Sequence, residues 1–354
     1  MCDNDNDNRE IILRVEHLKQ YFKLGRGSVV KAVDDISFFI KKGEVFGMVG
    51  ESGCGKTTTG RDIIKLYEIT GGDIFFKGHR ISSGINEKKK QLAKLRRAGK
   101  TKEAREKQLE ITRAKKEVAE VKNAGIMTKM QMIFQDPVAS LNPRMTVREI
   151  ISEGLIIKGK NDKAYIDKRV GEMLDMVGLV PEHAERYPHE FSGGQKQRIG
   201  IARAMALEPE LIIADEPISA LDVSIQAQII NLLNDLRVKM GLTIMFIAHD
   251  LSVVKYFSDR IAVMYYGKMV ELADTDELFA HPYHPYTKAL LSAIPLPDPL
   301  YEKKRVRLKY EPALDHDYST DKPTLREVTP GHFVLCNSAE EEACKKSREA
   351  KDKP

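Results

Sequence analysis

Gly50-Glu51-Ser52-Gly53-Cys54-Gly55-Lys56-Thr57 is the stretch that decides the fold. It fits Gly-x4-Gly-Lys-Ser/Thr, a loop whose glycines let backbone N–H groups crowd around phosphate oxygens with no Cβ in the way. Its surroundings are the ones this pattern needs. Upstream, Glu44-Val45-Phe46-Gly47-Met48-Val49 is an almost continuous apolar run stopped by Gly50, which suits a strand buried on both faces of a parallel sheet. Downstream, Thr58 to Tyr67 is compatible with a helix. The loop therefore opens onto a helix N-terminus and its partial positive charge. In such a loop Lys56 places a point charge on the β/γ-phosphates, and Thr57 offers a hydroxyl to Mg²⁺.

Further along, Leu211-Ile212-Ile213-Ala214-Asp215-Glu216 reads as an apolar strand ending in two carboxylates. With a phosphate loop upstream, Asp215 is suited to hold Mg²⁺ through water or a hydroxyl, and Glu216 to polarise an attacking water. Phe191-Ser192-Gly193-Gly194-Gln195 leads into a helical run from Lys196 to Leu207 and makes a second anion-binding helix start. One nucleotide has no need of two such starts from one domain, so the economical reading gives the second to a neighbouring subunit. Strand-like runs at 11–15, 36–40, 72–78, 130–134, 242–247 and 260–264 surround a mainly helical stretch at about 146–210. Strands alternating with helices predict an α/β architecture.

The 354 residues allow one large domain with an appendage, or two domains. Apolar residues at 42% and charged residues at 31% fit a soluble chain with a real core. No apolar run is long enough to span a bilayer. The start, Met1-Cys2-Asp3-Asn4-Asp5, lacks the basic-then-apolar order of a signal peptide. Cys2, Cys54, Cys336 and Cys344 are too scattered for a disulfide framework, which points to a reducing, cytoplasmic setting. Cys54, among positive neighbours in the phosphate loop, is expected to be easily alkylated. Residues 1–9 read as a polar, disordered tail. The net charge is +5, yet 14 Lys/Arg against 6 Glu in residues 85–122 give that segment +8 and leave −3 for the rest. A basic excess confined to one segment argues against a general nucleic-acid surface, and no nucleic-acid partner is expected. Apolar residues recurring every three or four through 85–125, with a turn at Gly99-Lys100-Thr101, predict a charged and mostly solvated helical hairpin. Its readings are an exposed insertion of no defined function or a contact with anionic lipid headgroups. Past about 275 the chain turns Pro-, His- and charge-rich, as an extension with a loose tail.

The loop at 50–57, Ser192-Gly193-Gly194-Gln195, the strand ending in Asp215-Glu216, then Ser219-Ala220-Leu221-Asp222 and His249 stand in the order found in ATP-binding-cassette (ABC) ATPases. Gln135, in Phe134-Gln135-Asp136-Pro137, matches that family's Q-loop, and Phe22 or its neighbour Tyr21 matches its adenine-stacking aromatic. The sequence resembles this family over about residues 10–275, with 276–354 as a C-terminal extension. Gln135–Arg144 and His281-Pro282-Tyr283-His284-Pro285-Tyr286-Thr287-Lys288-Ala289-Leu290-Leu291 narrow the resemblance to the ATP-binding subunits of oligopeptide, dipeptide and nickel importers, most like the F-type subunits of oligopeptide permeases.

The resemblance implies a P-loop NTPase fold with a mixed-sheet core, an antiparallel β subdomain and a helical subdomain. It implies ATP held by Gly50 to Thr57 and Thr58, with Mg²⁺ at Thr57, Gln135 and Asp215. It makes Glu216, His249 and Gln135 the catalytic group, Ser192 to Gln195 the signature loop acting in trans, and Ser219 to Asp222 the D-loop. The implied partners are a second, related ABC ATPase in a heterodimer, two transmembrane permease subunits and, indirectly, an extracellular binding protein. The implied place is the cytoplasmic face of the cell membrane. The sequence departs from the family in two ways. The 85–125 insertion is longer than usual. Of the cysteine cluster that holds an iron–sulfur centre in some relatives, only Cys336 and Cys344 remain, too few for four-ligand binding. A soluble ABC ATPase of DNA maintenance shares an interrupted cassette but uses far longer coiled coils. A translation-type ABC protein carries two cassettes in one chain.

Overall fold

The computed structural model describes residues 9–123, 125–294 and 307–351. The expected tail at 1–9 lies, apart from Arg9, outside them. The described residues fall into two compact units, one drawn from 9–41, 45–115, 248–294 and 307–351 and one from 42–44, 116–123 and 125–247.

In the first unit, β1 (Ile11–Lys23) and β2 (Val29–Lys41) are far longer than their apolar centres suggest. With β4 (Gly71–Phe76) and β5 (His79–Ser83) they form an antiparallel sheet in the order β2-β1-β4-β5. Its inner face buries Leu13, Val15, Leu18, Ile36, Phe38, Ile40, Ile74 and Phe76 by alternation along each strand. The same unit carries β3 (Val45–Val49), every residue of which is buried, paired in parallel with β9 (Arg260–Tyr265). A strand flanked by structure on both faces needs no polar alternation, and Val-Phe-Gly-Met-Val has none. β10 (Lys268–Asp274) pairs antiparallel with β9. The hairpin β11 (Thr324–Thr329) and β12 (His332–Cys336) then adds to β10 through β12. Helix α13 (Ser338–Lys351) follows, with α12 (Pro312–Asp315) before the hairpin. The tail expected to be loose is thus folded from 324 to 351, because the edge of β10 offers unpaired backbone groups that β12 satisfies.

Between β3 and β9 in this unit lie α1 (Lys56–Ile63), α2 (Ile85–Arg97), most of α3 (Thr101–Asn123) and α9 (Leu251–Lys255). The expected turn at Gly99-Lys100-Thr101 joins α2 to α3. Leu92, Ala104 and Ile111 form the hairpin's small core, with Ile85 and Leu95 against it. Lys88 ties its base by reaching Asp73 at 2.7 Å and Glu110 at 2.9 Å.

The second unit has β6 (Met130–Ile133), β7 (Leu211–Asp215) and β8 (Thr243–Ala248), parallel in that order. Its helices are α4 (Pro137–Ser140), α5 (Val147–Ile157), α6 (Lys163–Met176), α7 (Gly193–Met205) and α8 (Val223–Met240). Thr146 and Glu149 close a capping box on α5, and Asp162 caps α6, so each helix starts at a side chain that accepts from its first-turn N–H groups. Ile150, Ile151, Leu155, Val170, Met173, Leu174, Ile199, Ile201 and Met205 bury the facing sides of α5, α6 and α7. In the first unit again, α10 (Thr275–Ala280) and α11 (Pro285–Ala293) follow β10.

One buried group in α1 sets a pH dependence. Asp62 has no exposed surface, and neither carboxylate oxygen has a hydrogen-bond partner among the described residues. Burial raises its pKa to about 8. A folded-state pKa above the unfolded one favours the native state fully below the unfolded value, near 4, and loses that advantage as pH rises through about 8. Asp62→Asn is therefore expected to stabilise the chain by on the order of a few kcal/mol at pH 8 and to change little near pH 4. Thermal melts of parent and variant from pH 5 to 8.5 check this; parallel curves would remove the buried acid as the cause.

Candidate functional site

The loop after β3 is shaped by its backbone. Gly50 has φ 149° and Gly55 φ 107°, which L side chains rarely adopt. A Cβ on Gly50 would meet the Met264 carbonyl oxygen at 2.2 Å, and one on Gly55 the Ala32 carbonyl oxygen at 2.2 Å. Any other residue there would push the loop off its support. Gly55 is also the N-cap of α1 and gives it no side-chain cap. The first N–H groups of α1 are thus not taken by a capping side chain, the arrangement that suits a phosphate. Lys56, 3% exposed, turns back over the loop and donates to the carbonyls of Gly50 at 2.7 Å and Glu51 at 2.9 Å. Glu51, Ser52 and Gly53 are exposed, and Thr57 and Thr58 half-buried at the mouth of the helix. The residues present fit a bound triphosphate.

Cys54 corrects an expectation. It is buried, with its sulfur 3.6 Å from the Lys56 ammonium. Burial raises its thiol pKa and outweighs the lowering by Lys56, so this thiol is poorly suited to easy alkylation. Cys336 is buried and Cys344 half-buried against the same apolar cluster; both are free, and burial pushes their thiols up to about 12 and about 11. Among the described residues no group of three or more His, Cys, Asp or Glu is placed to hold a metal ion by itself.

Tyr21 and Phe22 leave opposite faces of β1. The Tyr21 hydroxyl donates to Asp34, and its ring lies 5.4 Å from the Lys31 ammonium. Phe22 is half-buried, edge-on to Tyr67 at 5.3 Å. His249 follows β8 and is exposed, and the next residue, Asp250, caps α9 by accepting from Ser252 N–H at 2.8 Å.

In the second unit the structure brings Gln135 and Glu216 together. Gln135 Nε2 donates to Glu216 Oε2 at 3.0 Å. Asp215 is the fully buried last residue of β7, and Glu216 turns the chain out of the strand with φ 43°, a left-handed conformation unusual for glutamate. Its N–H donates to the Ile247 carbonyl at 3.0 Å, and its carbonyl accepts from Ser219 N–H and Oγ, which locks the turn. Ser219-Ala220-Leu221-Asp222 forms the rest of this turn, and Asp222 caps α8 by accepting from Ile225 N–H. Ser192 and Gly193 are exposed at the start of α7. Ser192 Oγ accepts from Gln195 N–H at 3.3 Å while Gln195 Oε1 accepts from Ser192 N–H at 3.0 Å, so the segment expected to be the signature loop is a capping box that presents a helix N-terminus to solvent.

Two features escaped the sequence reading. One is the burial of Asp62, which stands between Arg61 and Ile63 in the helix after the loop and has no sequence signal of its own. The other is the contact of Tyr286 with Glu51, 235 residues apart, for which no sequence spacing exists.

Comparison with known proteins agrees with this geometry. The ABC transporter family matches residues 33–219, and the family described as the oligopeptide/dipeptide transporter C-terminal region matches 270–322. The chain is 57% identical to the oligopeptide transport ATP-binding protein OppF of Bacillus subtilis, covering 94% of this chain and 98% of that protein. It is 48% identical to the dipeptide transport ATP-binding protein DppF of Lactococcus lactis, over 95% and 97%. Among solved structures, the dimeric ATP-binding cassette MJ0796 with ADP and Pi is 26% identical, with a TM-score of 0.58 over 75% of this chain and 99% of that one. The buried strand and glycine loop, the locked acidic turn and the solvent-facing signature helix thus occur together in one sequence that belongs to the ABC transporter family, among its oligopeptide/dipeptide ATP-binding proteins.

Proposed function

We propose that this chain is the ATP-hydrolysing motor subunit of an importer for short peptides, working at the cytoplasmic face of a membrane that it does not itself enter. The observation that carries the chemistry is the Glu216 carboxylate, held on a strained, locked turn and hydrogen-bonded by Gln135. The relatives' names support the cargo, since proteins similar over nearly the whole chain are named oligopeptide and dipeptide transport ATP-binding proteins. No helix among the described residues is long and apolar enough to cross a membrane, so the path for the cargo would belong to partners, two permease subunits fed by an extracellular binding protein.

In this reading the backbone N–H groups of Gly53 to Thr58 hold the phosphates. Lys56 exchanges its bonds to the Gly50 and Glu51 carbonyls for the β/γ-phosphates. Phe22 is the ring assigned to adenine, because the hydroxyl and ring of Tyr21 are already engaged by Asp34 and Lys31. Mg²⁺, when bound, neutralises charge developing on the phosphates, and Thr57, Asp215 and Gln135 are the residues that would hold it. Glu216 orients the attacking water, and His249 faces the γ-phosphate as its sensor. Ser192, Gly193, Gly194 and Gln195 cap the nucleotide of a second ABC ATPase, a related chain in a heterodimer, and Ser219 to Asp222 line that seam. Closing the pair around two nucleotides and opening it after hydrolysis would drive the permease between its two accesses. Exposed Val138 on α4, just past Gln135, and exposed Ile157 at the end of α5 offer apolar anchors for a permease helix.

The test is uptake by cells lacking this chain. Entry of a labelled pentapeptide should fall to background and return with the gene in trans. Retained pentapeptide entry with lost nickel entry would replace the peptide reading with the metal one. Sedimentation with nucleic acid in place of membranes would favour a DNA-maintenance ATPase.

A further inference from the structure

We infer that Tyr286, on the first long helix of the C-terminal extension, is a positioning residue for the phosphate loop, so that the extension is a working part of the nucleotide site. This rests on the nucleotide reading of that loop. The Tyr286 hydroxyl accepts the Glu51 backbone N–H at 3.1 Å, at the second residue of Gly50-Glu51-Ser52-Gly53. Tyr286 is 2% exposed, so its hydroxyl reaches the backbone of exposed Glu51 from a buried position.

Its ring cannot drift. Tyr265 lies 4.5 Å and Tyr310 5.5 Å from it, and these two meet edge to face at 5.0 Å, closing a triangle of rings. Tyr265 ends β9 next to Met264, whose carbonyl backs Gly50. The loop's first two residues are thus supported by β9 at Gly50 and by Tyr286 at Glu51.

The backbone of the segment is pinned as well. Glu271 of β10, with no exposed surface, accepts from Tyr283 N–H at 2.7 Å and His284 N–H at 3.1 Å, and lies 2.8 Å from His332 Nε2 of β12. His284 Nδ1 caps α11 by accepting from Tyr286 N–H at 3.1 Å, and Pro285 takes the first helical position, where no N–H is needed. This gives the two His-Pro-Tyr units a physical role. The first places the Tyr283 N–H on Glu271, and the second adds the His284 N–H and starts a helix whose first turn aims a hydroxyl at the loop. A loop so fixed spends less ordering entropy when it closes around phosphate.

The experiment uses the full chain for equilibrium dialysis against labelled ATP with Mg²⁺, and the assembled transporter for steady-state hydrolysis. Tyr286→Phe keeps the ring and removes the acceptor. It should raise Kd and KM for ATP about three- to tenfold, the span for one lost hydrogen bond, with kcat held within about twofold and the melting temperature near the parent's. Tyr310→Leu, which loosens the ring triangle but spares the hydroxyl, should shift Kd in the same direction by less. If the parent binds ATP and Tyr286→Phe binds it within about twofold of the parent, the positioning role is overturned. A lowered kcat with KM unmoved overturns it too. A parent that binds no ATP would overturn the nucleotide reading itself.

Discussion

Glu216→Gln is expected to bind MgATP about as tightly as the parent and to hydrolyse it about 10²- to 10⁴-fold more slowly, leaving the paired cassettes closed. The substitution removes charge but little volume. Its side-chain amide oxygen can still accept from Gln135 Nε2, now at 3.0 Å, and the backbone lock through Ile247 and Ser219 is untouched. What disappears is the negative oxygen that would order and polarise water beside the γ-phosphate. Nucleotide affinity, single-turnover hydrolysis and the dimer fraction in ATP, measured on one preparation, check this. Retained full turnover would rule out Glu216 as the water-orienting group and shift attention to His249.

Ser192→Arg should abolish hydrolysis by the assembled pair and transport with it, yet leave ATP binding by the same chain within about twofold. Ser192 is exposed, and its side-chain hydroxyl is engaged by Gln195 within its own capping box. Losing the box costs about 1 kcal/mol of helix stability, a melting shift of a few degrees and no loss of fold. The larger effect is a bulky side chain at a helix N-terminus meant to meet phosphate on another subunit. Dialysis against ATP and coupled hydrolysis assays separate the two. If the variant loses its own nucleotide binding, the in-trans assignment of Ser192 to Gln195 is wrong.

Much of the site was legible because its chemistry is local. Gly50 to Thr57 needs a preceding buried strand and a following helix, and Val45–Val49 and Lys56–Ile63 supply them within a few residues. The helix start at Ser192 to Gln195 is likewise made between residues three apart. The hairpin at 85–123 followed from apolar spacing and one glycine turn. Strand lengths were less legible. β1 and β2 run 13 residues each because they pair with one another, and pairing continues where the apolar signal has ended. Cys54 shows the limit of reading charge from neighbours in sequence, since Lys56 does lower its pKa but burial raises it more.

By itself, then, the sequence determined the phosphate loop, the acidic strand end, the signature helix start and their order, because each is a short-range device in which a few side chains satisfy nearby backbone. Only the tertiary structure decided the raised pKa of Asp62, the quiet thiol of Cys54, the pairing of the 324–336 hairpin with β10 and the reach of Tyr286 to Glu51. Desolvation and long-range contact depend on what else fills the space around a residue, and that is set by the packing of segments hundreds of residues apart.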